Sequence, residues 1–177
     1  NKVNFYNFTE VGQDRNTLVG GKTFDDSMIG KIEFMGNNEA AVFHEKGVTL
    51  FSNMKQPSVT AELTFPDQIQ SMAYNEKYLA VVTGDAEAEQ KKLHLYDLKG
   101  REKLTRAISY KYDDMQLYDD EIIFLSSRSC HILRTNGHEK FVYEFDQEVD
   151  ALFPTANRSV YTLIDQDKIQ KIKLTWK

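Results

Sequence analysis

The sequence predicts an all-β protein built from repeated units of four short strands, because one short strand-like motif recurs along the whole chain. The clear copies and one looser copy lie at residues 3–7 (VNFYN), 48–52 (VTLFS), 93–97 (LHLYD), 130–134 (CHILR) and 169–172 (IQKI). No window of about ten residues shows apolar spacing of three and four, so no helix is predicted. A unit of strands and turns that returns every ~37 to 45 residues has the period of a β-propeller blade.

The segments that flank each copy of the motif are also similar to one another, so the motif is part of a longer repeat. A segment that opens on an aliphatic residue and closes on an aromatic one follows it at 18–24, 59–65, 104–110 and, in shortened form, 141–145. Continuous apolar runs precede it at 40–43, 79–82, 122–125 and 160–164, and these should form strands buried on both faces. Weaker alternating stretches come before them at 29–34, 69–74, 115–118 and 149–153.

These four strands, A to D in chain order, divide a single predicted domain, 1–177, into five parts. Residues 1–24 supply strands C and D of a partial blade, and residues 146–177 supply A, B and C. The repeats at 25–65, 66–110 and 111–145 are complete. The prediction is therefore about four blades of four antiparallel strands, which either close on themselves or belong to a larger ring of seven or eight blades.

The two ends of the chain carry a further expectation. The first residue is Asn1 rather than Met and falls in the middle of a unit, so we expect a trimmed fragment. Unpaired strand edges recruit other strands, so residues 1–24 should pair with residues 160–177 and close the ring, or a homodimer should form edge to edge. Shared alternation also predicts that Val48, Leu93 and Cys130 occupy equivalent buried positions.

Residues 93–100, LHLYDLKG, resemble the third strand and following turn of WD-repeat and quinoprotein-type propeller blades. In those blades an aromatic–Asp pair closes the strand and a glycine takes a left-handed turn position. The motif is specific in one unit only. The tryptophan of a true WD repeat is absent from these units, since the only tryptophan is Trp176, so the His-to-Asp network of that family is not implied. In its overall sequence pattern the chain is also similar to propeller ectodomains of unknown function from bacterial cell-envelope proteins.

Composition indicates a folded domain and excludes several classes. Of the 177 residues, 41% are hydrophobic and 12% aromatic, which is ample for a core. The net charge of −5 and the scattered Lys and Arg argue against nucleic acid. No run approaches the ~18 apolar residues of a membrane span, and no signal peptide opens the chain. The sequence does not determine the cellular compartment. The resemblance to cell-envelope propellers implies an extracellular or cell-envelope location, with an anchor removed from the chain.

Catalytic and metal-binding constellations are missing from the sequence. No Gly-rich phosphate loop, nucleophile elbow or His-Glu-x-x-His motif occurs, so no catalytic residue and no cofactor is predicted. His94 and His131 occupy equivalent places in successive units, but surface histidines on repeated strands need no metal, and no metal site is predicted. The only cysteine, Cys130, is expected to be a buried small hydrophobe.

The links between predicted units all carry acidic side chains. These are Asp25, Asp26, Asp67, Asp113, Asp114, Asp146 and Glu148. In a propeller such links lie on one face around the axis, so the carboxylates should form an acidic arc that binds a cation or a basic partner. The competing explanation is that Asp is favoured in turns for local backbone hydrogen bonding.

Three functional hypotheses follow. The favoured one is a non-enzymatic protein-interaction or sensor module with a protein or peptide partner, which the arc would make basic. The second is a propeller that binds a cation or small ligand. The third is a propeller-type hydrolase or lyase, which would need titratable groups converging at the axis, and no His or Glu recurs at first-strand positions.

Overall fold

The chain folds into antiparallel β-sheets throughout the residues that a computed structural model describes, 1–8 and 17–174. Seventeen strands and no helix occur in these residues, which confirms the all-β prediction. It follows that no helix there could span a membrane. Trp176 and Lys177 lie outside the described residues.

The strands form five sheets in which every neighbour in space is also the neighbour in sequence. Sheet 1 contains β1 (Lys2–Asn7) and β2 (Thr17–Thr23). Sheet 2 contains β3 (Ile29–Phe34), β4 (Glu39–His44), β5 (Gly47–Ser52) and β6 (Ser58–Thr64). Sheet 3 contains β7 (Ile69–Tyr74), β8 (Tyr78–Thr83), β9 (Lys91–Asp97) and β10 (Glu102–Ile108). Sheet 4 contains β11 (Asp114–Tyr118), β12 (Glu121–Leu125), β13 (Ser129–Arg134) and β14 (Glu139–Glu144). Sheet 5 contains β15 (Ala151–Pro154), β16 (Val160–Ile164) and β17 (Ile169–Lys173).

The sheets pack face to face in chain order, and each adjacent pair shares one apolar cluster. The second and third strands of a sheet contribute a recurring square of four buried side chains to the cluster with the following sheet. The squares are Phe43, Val48, Ala41 and Leu50 in sheet 2, Val82, Leu93, Ala80 and Leu95 in sheet 3, and Leu125, Cys130, Ile123 and Ile132 in sheet 4. Val48, Leu93 and Cys130 are therefore equivalent, as predicted. Burial of one such aliphatic side chain contributes about 1.5–3 kcal/mol.

In three of the four inter-sheet links, an aromatic residue at the first or second position packs against a histidine ring of the following sheet. Phe24 packs on His44 with ring centroids 5.0 Å apart, and Phe65 packs on His94 at 5.3 Å. Tyr110 stacks on His131 at 3.8 Å. These contacts explain why the predicted fourth strands end on an aromatic residue.

The expected pairing of residues 1–24 with residues 160–177 is wrong for the described part of the chain, where no closed ring is found. β1 pairs only with β2, and β17 pairs only with β16. Val3, Phe5 and Phe24 instead pack against Ala40, Val42 and Phe51 of sheet 2. The apolar face of sheet 1 is satisfied by this stacking, which leaves the two ends of the series apart.

The turn that resembles a WD-repeat blade is built around a buried carboxylate, that of Asp97. Asp97 accepts hydrogen bonds from the Lys99 and Arg101 amides, both at 3.0 Å, and from Arg101 Nε at 2.7 Å. Gly100 has φ of 76°, and a Cβ there would lie 2.3 Å from the Cβ of Ala61. Burial alone would raise the pKa of Asp97, but the Arg101, Lys103 and Lys99 bonds outweigh it and lower that pKa to about 2.

The lowered pKa of Asp97 predicts an acid-sensitive contribution to stability. Because the folded-state pKa lies below the unfolded value, this contribution is present above about pH 4 and is lost as the pH falls towards 2. Asp97→Asn should lower the free energy of unfolding at pH 7 by about 1–3 kcal/mol and flatten its dependence on pH between 4 and 2. Urea unfolding measures both. Asp67→Asn, at an exposed turn position, is the control, and equal losses in the two variants would contradict the prediction.

A buried ion pair lies between sheets 4 and 5. The Lys140 ammonium group donates to the Glu121 carboxylate, to the Arg158 carbonyl and, at 3.0 Å, to the Tyr161 hydroxyl oxygen. The Tyr161 hydroxyl donates to Glu121 at 2.7 Å. Burial, and then this bond to Glu121, raise the pKa of Tyr161. Sequence patterning missed the pair because the partners lie 19 residues apart on different strands, and nothing local in either strand points to the other.

Removal of one partner should cost more than neutralisation of both. Lys140→Met leaves the Glu121 carboxylate buried without its cation, which should destabilise the protein by about 3–5 kcal/mol. In the double variant Lys140→Met/Glu121→Gln no charge remains, so the cost should be smaller. Denaturant unfolding of the wild type and the single and double variants tests this, and a double variant no more stable than Lys140→Met would contradict it.

Candidate interaction surface

The antiparallel meander brings two kinds of connection to the same end of the sheets, which we call the link end. It consists of the links between sheets, 24–28, 65–68, 109–113 and 145–150, and the turns between second and third strands, 45–46, 84–90, 126–128 and 165–168. Ser127 N donates to Asp113 Oδ2 at 3.1 Å, which joins a turn and a link within sheet 4. The remaining turns lie at the opposite end, 35–38, 53–57, 75–77, 98–101, 119–120, 135–138 and 155–159.

All seven carboxylates of the predicted arc are exposed at the link end. Asp25 and Asp26 follow β2, Asp67 follows β6, Asp113 and Asp114 precede or begin β11, and Asp146 and Glu148 follow β14. Within residues 1–8 and 17–174, no three His, Cys, Asp or Glu side chains are grouped so that they could hold a metal ion. The carboxylates are thus spread over the surface and do not converge.

Local hydrogen bonding accounts for only part of this acidic set. Asp114 Oδ2 accepts from the Gln116 amide at 2.5 Å, and Glu148 lies 3.9 Å from the Arg128 guanidinium. For four others the described residues provide no hydrogen bond or ion pair to the carboxylate. These are Asp25, Asp26, Asp67 and Asp146. Asp26 has a φ of 51°, a left-handed turn conformation that Asp tolerates, so the turn explanation covers it. It leaves Asp25, Asp67 and Asp146 unexplained.

The turns between second and third strands add acidic residues that sequence reasoning missed. These are Glu45, Asp85, Glu87, Glu89, Asp165 and Asp167. The link 145–150 adds one more acidic residue, Asp150. The antiparallel order of the strands was the signal that could have found them, because it puts these turns beside the links. The basic residues on the same connections are Lys46, Lys111, Arg128 and Lys168.

On the connections that the structure describes, which leave out residues 9–16, the opposite end has the reverse balance of charge. Its acidic residues are Glu76, Asp119 and Asp120, whereas its basic residues are Lys55, Lys77, Lys99, Arg101 and Arg158. Acidic side chains outnumber basic ones by about three to one at the link end and are the minority at the other. Such a distribution gives the two ends different electrostatic potentials, with the more negative one at the link end.

Two grooves open at the link end. One, of about 540 Å³, lies between sheets 2 and 3 and is lined by Met28, Glu45, Gln68, Ile69 and Met72 among others. The other, of about 630 Å³, lies beneath the 84–90 loop and is lined by Glu87, Glu89, Tyr110, Tyr112 and Asp113 among others. Both combine apolar or aromatic walls with carboxylates at the rim.

The family of this chain is given by comparison with known proteins. The model of a family of unknown function, DUF5711, matches residues 1–174. The chain belongs to this family. No curated protein matches it. A protein of unknown function from Bacteroides caccae, with a crystal structure at 1.35 Å resolution, is similar at 8% sequence identity and a TM-score of 0.49. The match covers 89% of this chain and 65% of that one.

His94 and His131 of this DUF5711 member are packed between sheets, so the expectation that these two histidines lie on the surface was wrong. His94 is only 8% exposed, and its Nε2 lies 3.2 Å from Thr83 Oγ1. His131 is stacked on Tyr110 in the next interface. Burial lowers the pKa of both rings, partly opposed at His131 by Glu139 and at His94 by Glu102. The two rings lie in separate interfaces between sheets. Histidine therefore recurs at this position because the ring packs against an aromatic residue of the preceding link.

The lowered histidine pKa values predict destabilisation by mild acid. A folded-state pKa below the unfolded value of about 6.5 means that stability is full above this pH and falls as the pH decreases below it. Unfolding free energies measured from pH 7 to pH 5 should therefore decline. His131→Phe keeps a ring against Tyr110 but cannot titrate, so its decline should be shallower. A wild-type protein equally stable at both pH values would contradict this.

Proposed function

We propose that the five sheets are consecutive blades of a β-propeller-like domain, and that this domain is a non-enzymatic interaction module whose link end binds a basic segment of a partner protein. The observation that carries the proposal is the opposite charge balance of the two ends of the sheets. The central strands of the sheets are packed against neighbouring sheets, whereas the connections at the ends are exposed, so charges on these connections can act on a partner.

The chemistry of the link end supports a Lys- or Arg-bearing partner over a bound ion. A metal ion needs several ligands within a few ångströms, whereas exposed carboxylates spread over four links match successive charges along a peptide. Met28, which is 67% exposed at the first groove, offers an apolar surface for the aliphatic stem of a lysine or arginine. Complementary charge of this kind raises the association rate and is weakened by salt.

Charge-neutralising variants at the two ends test the proposal. Asp25→Asn/Asp67→Asn/Asp146→Asn should weaken binding of a fluorescent Lys/Arg-rich peptide about tenfold at low salt, because three exposed carboxylates are removed. The matched control is Glu76→Gln/Asp119→Asn/Asp120→Asn, which changes the net charge equally but lies at the opposite end. It should bind like the wild type. Fluorescence anisotropy at two salt concentrations measures the affinities, and the wild-type affinity should fall at high salt.

Equal affinities of the two triple variants would overturn the proposal, because binding would then follow net charge alone. Wild-type binding unaffected by salt would also contradict it. Thermal stability in calcium should match that in sodium at equal ionic strength. A calcium-dependent rise in the melting temperature would favour the cation-binding hypothesis instead.

A further inference from the structure

The groove between sheets 2 and 3 has an apolar interior that opens at the link end. Its volume is about 540 Å³, and its walls include Phe43, Ile69 and Met72. Phe43 is almost fully buried, Ile69 and Met72 are half-buried, and Met28 at the mouth is 67% exposed. The groove therefore leads from an exposed thioether to buried side chains that both sheets contribute.

The backbone of Met28 is fixed by two hydrogen bonds, although its side chain is exposed. Met28 N donates to Glu45 Oε2 at 3.1 Å, and Glu45 N donates to the Met28 carbonyl oxygen at 3.0 Å. Gln68 takes the same place before β7, because its carbonyl oxygen accepts from Gly84 N at 3.0 Å across the corresponding turn. That residue is polar, which is usual for an exposed position. Met28 is thus an apolar side chain that the fold holds in water at the mouth of an apolar groove.

The two sheets that form this groove are both four-stranded and are adjacent along the chain. The turn 45–46 beside the groove has two residues. The corresponding turn of sheet 3, 84–90, has seven residues and lines the other groove at the link end. The short turn leaves the groove between sheets 2 and 3 open from the link end.

The connections that frame this opening carry an excess of negative charge. They are the links 24–28 and 65–68 and the turn 45–46. Their charged side chains are the carboxylates of Asp25, Asp26, Glu45 and Asp67 and the single ammonium group of Lys46. Lys31, on the wall of the groove, is paired with Glu33 at 2.5 Å. The opening is therefore apolar inside and acidic around its rim.

From these observations we infer that this groove binds one apolar side chain of the partner segment, which has lysine or arginine residues on both sides of that anchor. The inference rests on the proposed function, and it adds the sequence feature that selects among basic segments. The anchor, aliphatic or aromatic, enters past Met28 and packs against Ile69 and Met72, while its basic neighbours lie over the acidic rim. Thioether side chains are flexible, so Met28 and Met72 can adjust to anchors of different shape.

A lysine or arginine side chain alone cannot satisfy this groove. Its stem can lie on Met28, but its charged group has to remain in water or meet a carboxylate. Further in, the side chains of Phe43, Ile69 and Met72 offer no charged acceptor. A purely apolar ligand, in turn, would leave the acidic rim without a counter-charge. An apolar residue within a basic segment matches both parts of the surface.

Two fluorescein-labelled peptides that differ at one position test the inference. Both contain Lys and Arg residues on each side of a central residue, which is leucine in one peptide and serine in the other. The wild-type protein should bind the leucine peptide about tenfold more tightly, because an aliphatic side chain is removed from water. Salt should weaken both affinities but preserve their ratio, since only the charged contacts are screened. Fluorescence anisotropy at two salt concentrations measures the ratio.

A substitution at the mouth of the groove should abolish this ratio. Met28→Gln introduces the side chain that Gln68 carries at the equivalent place, so the variant should fold normally. It should weaken binding of the leucine peptide about tenfold and leave the serine peptide unchanged. Val142→Gln is the matched control, because Val142 is also exposed, at 50%, and lies on β14 of sheet 4. This control should keep the wild-type ratio.

Oxidation of Met28 locates the docked peptide without any substitution. Hydrogen peroxide transfers one oxygen atom to an accessible thioether and leaves water. A saturating concentration of the leucine peptide should slow formation of the Met28 sulfoxide about threefold or more, and the serine peptide at equal occupancy should protect much less. Mass spectrometry of proteolytic fragments measures both rates.

The possible failures separate this inference from the proposed function. Equal affinity of the wild type for the two peptides would overturn the inference and leave binding of basic segments intact. A leucine advantage that survives Met28→Gln, or a Met28 oxidation rate unchanged by the leucine peptide, would also overturn it, because the anchor would then lie elsewhere. Failure of both peptides to bind would overturn the proposed function, and this inference with it.

Discussion

Face-to-face packing of neighbouring sheets is the constraint on which the rest of the structure depends. A sheet with neighbours on both sides has no solvated face, so its central strands must be apolar at successive positions. This is why β8 and β12 are continuous hydrophobic runs, and why even His94 and His131 are enclosed. The charged residues that remain lie on the outer strands and on the connections at the strand ends. The architecture therefore permits charge at both ends, and the residues of the individual connections set its sign.

Sequence periodicity predicted the positions of most strands, because the alternation of apolar and polar residues depends only on neighbouring positions in the chain. The predicted segments 29–34 and 69–74 coincide with β3 and β7, whereas 149–153 begins two residues before β15. Asp97 and Gly100 were also recognisable, since a left-handed glycine after an Asp is a local turn signal. The chain resembles a propeller in its repeated four-strand units and in the serial stacking of its sheets. This local pattern does not show whether the sheets close into a ring.

The contacts that sequence reasoning missed depend on which sheets become neighbours. Nothing in the spacing of Glu121, Lys140 and Tyr161 shows that they meet in one interface. The acidic turns 84–90 and 165–168 were overlooked because only links were counted as one surface. The exposed Met28 could not be found from hydrophobicity either, since Met35 is the same residue type and is buried.

The serial order of the four apolar clusters has a consequence for cooperativity. Each sheet contacts only its immediate neighbours through these clusters, so the free energy of the array is approximately a sum of sheet and nearest-neighbour interface contributions. A weakened interface between sheets 3 and 4 would divide the array into two separately melting halves. Within the described residues, sheet 1 contributes the fewest strands and a single interface to this sum, so opening of this sheet would cost the least free energy. Unfolding would then proceed along the stack from this end, as in a one-dimensional chain of coupled elements.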